Sequence, residues 1–388
     1  MIFRKQITRQ SILSTLMTSP KNTYFNSLTG FRFLAASLVF IFHNRKYWRH
    51  DIHPELLRFI NEFHIGVALF FVLSGFLITY SYFDEPLQSV KNYSRYMLLR
   101  IVRIMPVYWI ILTEFYLDSA YGKYHFRFDT YTLVHAFSNK TNLYGIAQAW
   151  SLNVEMTFYL LAPLLCFALR KNLMYILIGL AFLFGGSVMV GQLWHQLNGN
   201  PTQYFYPIEF VVNSTFAGRS VQFLAGMLLA QLLRNNRHDL LNRFTQKTLS
   251  GFVLIIVTTY VIGLFQKNIY VCGTDTAAGM LLHTFILPIG IVLAIAGLMT
   301  EKTWLQRIFA SRLFVLLGNA SFAFYLVHIS YVNLKICKLI LLPDRNFILL
   351  WVVSVLIYLL IEKPVYDRLR RWITGKPNSA LLNLVSGQ

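Results

Sequence analysis

Apolar residues along this chain come in long blocks separated by short polar segments. Blocks of this length, wound as helices rising 1.5 Å per residue, reach across the hydrocarbon of a bilayer. Ten stand out: 28–44, 62–83, 104–118, 148–169, 173–194, 216–234, 249–266, 277–299, 313–334 and 347–362. The third and the last are short, and the polar stretch 119–147 holds a patch around Tyr131 to Phe137 that could form a half-helix, so eleven crossings also fit. The pattern predicts an all-α, polytopic membrane protein of about ten transmembrane helices.

Composition supports this and excludes a soluble globular domain, because 56% of the 388 residues are hydrophobic and only 13% are charged. A net charge of +19 raises the question of nucleic acid. The basic residues form short clusters between apolar blocks instead of one patch, so topology explains them better and no nucleic-acid partner is expected. With the N-terminus inside, the inner segments carry about twice the Lys and Arg of the outer ones, which predicts that both termini are cytoplasmic. The expected division is an N-terminal arm at 1–27, a transmembrane domain at 28–371 and a tail at 372–388. The arm has basic residues but no apolar core with a small-residue cleavage motif, so it reads as retained. Cys166, Cys272 and Cys337 show no metal-ligand spacing, and neither a disulfide framework nor a metal site is expected. The outer segment 195–215 is rich in Asn, Thr, Gln and Tyr and has no cation, which suits a neutral sugar and equally an ordinary polar loop.

Ionisable residues inside the blocks carry the candidate chemistry. In the first, Arg32 and His43 are eleven residues apart. On a helix that is three turns plus about 20°, so both face one way, about 16 Å apart along the axis. Charged groups at membrane depth are costly and normally face a protein-lined or watery cavity. Headgroup anchoring accounts for either residue alone; the shared face favours a cavity wall. Before the third block, RIVRIMPVYW sets Arg100 and Arg103 one turn apart, a spacing that suits bidentate phosphate binding as well as positive-inside anchoring. Glu155 lies inside the fourth block with no Lys or Arg within a turn, so it needs a partner from another helix or a proton. Arg219 opens the sixth, and the ninth carries Asn319, Ser321, Tyr325 and His328. In the expected topology His43, Glu155, Arg219 and His328 lie in the outer half and Arg100 and Arg103 at the inner face. Arg32 stands between two compartments joined by a polar seam.

In order along the chain, GFRFLAASLVFIFH, FFVLSGFLI, RIVRIMPVYW, WSLNVEMTFYLLAPLL, FLAGMLLA, LGNASFAFYLVH and IEKPVYDRLRR resemble the family-three membrane acyltransferases, bacterial enzymes that O-acetylate surface glycans. The match runs from about Ser27 to about Arg371. The resemblance implies an acetyl-CoA donor bound from the cytoplasm, with no permanently bound cofactor, and an acceptor hydroxyl presented outside the bacterial inner membrane. It points to Arg32, His43, Arg100 and Arg103 as functional residues. Many members add a C-terminal esterase-like domain, and the short run of residues after the last block leads us to expect none here.

The expected reaction is cross-membrane acyl transfer to a glycan, with lipid-linked or lipopolysaccharide O-antigen first and peptidoglycan, exopolysaccharide or a small glycan as alternatives. Arg32, Arg100 and Arg103 would hold the donor and His43 would act as base or acyl carrier. Glu155 or His328 would orient the imidazole, and Arg219, Tyr325 and His328 would meet the acceptor. A transporter or flippase using the same seam is the rival from another class, although no inverted repeat supports it; for a membrane scaffold the intramembrane charges would be gratuitous.

Overall fold

The computed structural model describes residues 26–47, 52–83, 89–117, 126–199, 201–235, 245–268, 271–330, 333 and 346–375. The N-terminal arm up to Phe25, most of the tail, and Cys337 lie outside the described residues. The described chain is helical apart from turns and one isolated antiparallel bridge between Ser138 and Tyr204. We number the long helices α1 (Asn26–Asn44), α2 (Gly66–Tyr82), α3 (Val90–Leu117), α4 (Ala149–Lys171), α5 (Leu173–Asn198) and α6 (Phe216–Arg234). They continue with α7 (Lys247–Leu264), α8 (Ala277–Thr300), α9 (Arg312–Asn319), α10 (Ser321–Val327) and α11 (Phe347–Thr374).

Among the described residues, eight helical segments are long and apolar enough to cross a membrane, and they fall on eight of the ten expected blocks. The other two blocks are helical but fall short of that standard. α1 is diluted by its polar residues, and the block 313–334 is split into α9 and α10 at Ala320. The third block is longer than its apolar part. α3 begins at Val90, so Arg95, Arg100 and Arg103 lie on the helix itself and not in a loop before it. The patch at Tyr131 to Phe137 forms two short turns, Phe128–Tyr131 and Val134–Phe137.

The helices that position the site approach unusually closely. A Cβ at Gly75 on α2 would stand 2.2 Å from the Phe223 carbonyl oxygen on α6, and one at Gly226 would stand 2.0 Å from the Val72 oxygen on α2. Two bare backbone faces therefore press together, a device common where lipid, not water, surrounds the helices. α5 is the opposite case: Phe182, Met189 and Val190 are exposed and only Ile176 and Gly191 are buried, as expected of an all-apolar helix at the lipid boundary.

At the other end of α8, Glu301 caps a helix to which it does not belong. Its carboxylate accepts from the Lys247 amide (2.6 Å), the Thr248 amide (2.9 Å) and the Thr248 hydroxyl (2.7 Å) at the N-terminus of α7. Burial alone would raise its pKa, but the Thr248 and Lys247 donors outweigh it and hold the carboxyl below the usual range. A depressed folded pKa adds stability that is complete above the unfolded value, about 4.3, and is lost as pH falls through the folded value. Glu301→Gln is expected to cost about 1 kcal/mol at pH 7. Thermal unfolding in detergent should show the gap to wild type closing as the pH is lowered below the carboxylate range; a gap independent of pH would remove the charge from the account.

Candidate functional site

Helices α1, α2, α3, α4 and α10 close around a cleft. Arg32, Arg100, Arg103, Glu155, Tyr159 and Tyr325 line it, together with Ser74, Ser151, Ser321 and apolar side chains. Five of the expected site residues therefore share one space.

None of the three arginines forms a salt bridge among the described residues. Arg100 donates to the Tyr82 hydroxyl (3.2 Å), and its guanidinium carbon lies 5.7 to 5.9 Å from the ring centroids of Tyr96, Tyr82 and Tyr159. Its Nε is buried without a hydrogen-bond partner. Arg103 stands over Tyr366 (5.8 Å) and Arg32 over Phe70 (5.9 Å). Aromatic faces hold these cations in place at modest energy, about 0.5–2 kcal/mol each, while leaving their N–H forks available.

Two carboxylates accompany them. Glu155 accepts from Ser74 (2.6 Å) and Tyr159 (2.5 Å), both through Oε1, so its hydrogen bonds serve the cleft and not the His43 imidazole. Glu362, which sequence reasoning did not single out, is buried with both oxygens unpartnered, and Arg103 and Arg32 are the cations that act on it. It sits on a π turn, Tyr358–Glu362, just ahead of Pro364. Proline lacks the N–H that would close a regular turn and crowds the carbonyl four residues back, so the wider turn relieves both. The same device precedes Pro288, where the π turn Leu282–Ile286 carries His283. A titratable residue shortly before a proline in an apolar run is the signal that would have found both.

Tyr325 joins the cleft to a pair of histidines. Its hydroxyl meets Ser151 (2.7 Å), and its ring lies 5.5 Å from that of His328, which lies 5.0 Å from His43. Heavy-atom geometry assigns the protons. His328 Nδ1 is 2.7 Å from the Tyr325 carbonyl, which only accepts, so the proton is on Nδ1 and Nε2 is bare. His43 Nδ1 lies 3.1 Å from that Nε2 and 2.9 Å from the Val39 carbonyl, both acceptors, so it too carries a proton. The lone pair of neutral His43 is left on Nε2, which meets no hydrogen-bond partner among the described residues. An imidazole oriented through one nitrogen and free at the other has the form of a general base or nucleophile. His328 is held by Gln148, which donates to the Tyr325 and Leu326 carbonyls (2.9 and 2.7 Å), and by Asn333, which donates to the His328 carbonyl (2.5 Å).

Arg219 lies apart from both groups. Its Nε donates to the Asn213 carbonyl (2.7 Å), its Nη1 to His283 Nδ1 (3.0 Å), and it stands 5.8 Å over Trp150.

The chain belongs to the membrane acyltransferase family whose model, described as an acyltransferase domain, matches residues 25–362. Proteins named "Putative O-acetyltransferase" in Staphylococcus aureus strains COL and N315 are each 22% identical over 345 residues, covering 81% of this chain and 51% of theirs. "Nose resistant to fluoxetine protein 6" of Caenorhabditis elegans is 23% identical over 390 residues, 81% of this chain and 46% of that protein. The chain thus spans about half the length of these relatives. No solved structure matches.

Proposed function

We propose that the protein is a membrane O-acyltransferase that moves an acetyl group from acetyl-CoA to a hydroxyl of an extracytoplasmic glycan, with lipopolysaccharide O-antigen as the first candidate. One observation carries this reading: three arginines without salt bridges around one cleft, joined through Tyr325 to a histidine with a free ring nitrogen, both among the described residues. The donor is polyanionic, and Arg100 and Arg103 suit its phosphates. The two-to-one basic bias supports reading that end of the cleft as the cytoplasmic one in a bacterial inner membrane. The acceptor then meets His43 at the opposite end.

In the simplest reaction His43 Nε2 takes the proton of the acceptor hydroxyl as its oxygen attacks the thioester carbonyl. The C–S bond breaks, the ester forms, and the imidazolium returns the proton to the departing thiolate, giving free coenzyme A. Arg32, at the mouth of the seam, suits the developing oxyanion. His328 supports the imidazole by accepting from Nδ1. A route through an acyl-imidazole on Nε2 uses the same atoms. Glu155 and Glu362 balance part of the arginine charge, and Tyr325 and Arg219 are the proposed acceptor contacts.

The test is transfer of label from radiolabelled acetyl-CoA to cell-envelope glycan in membranes containing the protein. Label in isolated glycan, absent from membranes without the protein, is the expected result. No label across several glycans and acyl donors would favour transport through the same seam.

A further inference from the structure

Beside the histidine pair and outside the cleft, donor atoms of three kinds face one another. The Glu62 carboxylate, the His64 imidazole and the Cys272 thiol each offer one atom, and these lie within 4.8 Å of one another, the one such group among the described residues. Sequence spacing hides it, because Cys272 lies far along the chain from the other two.

The surroundings aim these atoms inward. Glu62 is fully buried, and its Oε1 is taken by the Gln266 side chain and the Gly273 amide, both at 2.6 Å. Its Oε2 is buried with no hydrogen-bond partner, and so is His64 Nδ1, 3.9 Å away. That gap is too wide for a hydrogen bond. It is close to the reach of two ligands sharing one ion, since oxygen and nitrogen bind zinc at about 2.0–2.2 Å each. His64 Nε2 lies 3.2 Å from the Thr274 hydroxyl, and a proton donated there leaves the Nδ1 lone pair facing Glu62. Among the described residues, Cys272 Sγ meets the Asn61 carbonyl alone, at 3.6 Å. Two cations stand near: Arg45 donates to the Phe42 carbonyl (2.5 Å) and lies 4.0 Å over the Phe42 ring, and Arg219 donates to His283, whose ring stacks 5.7 Å from that of His64. A buried carboxylate oxygen and imidazole nitrogen left without partners are costly unless something joins them.

We propose that Glu62 Oε2, His64 Nδ1 and Cys272 Sγ bind a divalent ion of the zinc type. One carboxylate, one imidazole and one thiolate form a borderline donor set that suits zinc better than calcium or magnesium, and three protein ligands leave a fourth position open. Binding deprotonates the thiol, and that proton goes to solvent. The ion ties the segment at Cys272 to the residues just before α2. It also fixes the His64 ring, which packs 5.2 Å from Phe42, the neighbour of His43.

The experiment uses the full chain purified in detergent without a polyhistidine tag or chelator. Zinc is counted by elemental analysis, and Co²⁺ is added to look for thiolate-to-cobalt charge-transfer absorption. Wild type should hold about one ion per chain and show the band. A variant with Cys272 as its sole cysteine (Cys166→Ser with Cys337→Ser) should keep the band. Cys272→Ser should lose it, and Thr274→Val should weaken metal binding about 10- to 100-fold. Wild type lacking both ion and band overturns the proposal, as does an unchanged band in Cys272→Ser. If Cys272→Ser does not elute as a folded protein, the sole-cysteine variant decides: no band there has the same meaning.

Discussion

Replacing His43 with alanine is expected to lower acyl transfer at least about 100-fold, while the protein still inserts and accumulates. The expectation rests on the proton assignment: His328 and Val39 both accept at Nδ1, so Nε2 is the basic atom, and general-base catalysis contributes about 10²–10⁴-fold. His43 is half-buried at the end of α1, and its truncation removes no hydrogen bond from another helix's backbone, so little unfolding should accompany the loss. His328→Ala should be milder, because Val39 still holds Nδ1 and leaves Nε2 free. Label incorporation into glycan, at matched protein levels in membranes, measures both. Full activity in His43→Ala would remove this residue from the chemistry, and a greater loss in His328→Ala would reverse the assignment of the base.

The second large effect is expected at the arginine end. Arg100→Gln and Arg103→Gln should each raise the apparent KM for the acyl donor about 10- to 100-fold, since a charge-assisted hydrogen bond is worth about 1.5–3 kcal/mol. The acceptor KM should hardly move. Arg103→Lys should recover only part of the loss, because an ammonium lacks the planar fork. Initial rates with each substrate varied in turn give the comparison. Equal effects on donor and acceptor would reduce the arginines to anchors or packing elements. Arg100 carries the sharper version of this test: its tyrosine box offers no carboxylate, so a purely structural role gives no reason for the donor alone to suffer.

Much of this was legible in the sequence, for identifiable reasons. Long apolar runs have few alternatives to helix in a bilayer, so the blocks were visible even where their ends were not. The start of α3 was missed because Lys91, Asn92, Ser94 and Arg95 lower the hydropathy of a stretch that is nonetheless helical. Periodicity alone related Arg32 to His43. The partners of Glu155 were not readable, since Ser74 arrives from another helix and no local pattern encodes that meeting. Glu362 was hidden by the rule that closes a span at its first charge, and His283 by standing alone in an apolar run. The pairing of Glu62, His64 and Cys272 depends wholly on tertiary folding.

The turn that carries Glu362 also fixes the phase of α11. A π turn holds one residue more than the regular helix would, and each residue is worth about 100° of rotation about the axis. Upstream of it the helix buries Leu350, Trp351 and Ser354; downstream it is a strongly charged segment, from Lys363 to Arg371, in which no residue is buried. The inserted residue thus works as a rotational offset between a core-facing stretch and a charged one, and it is what points the carboxylate at the arginines. Wound as regular helix, the same residues would keep their length and apolarity yet swing the charged half by about 100°, whereas deleting one residue of 358–362 would close the turn and leave the flanking phases nearly unchanged. Hydropathy could not register either change, and an alignment would show only the second, as one gap.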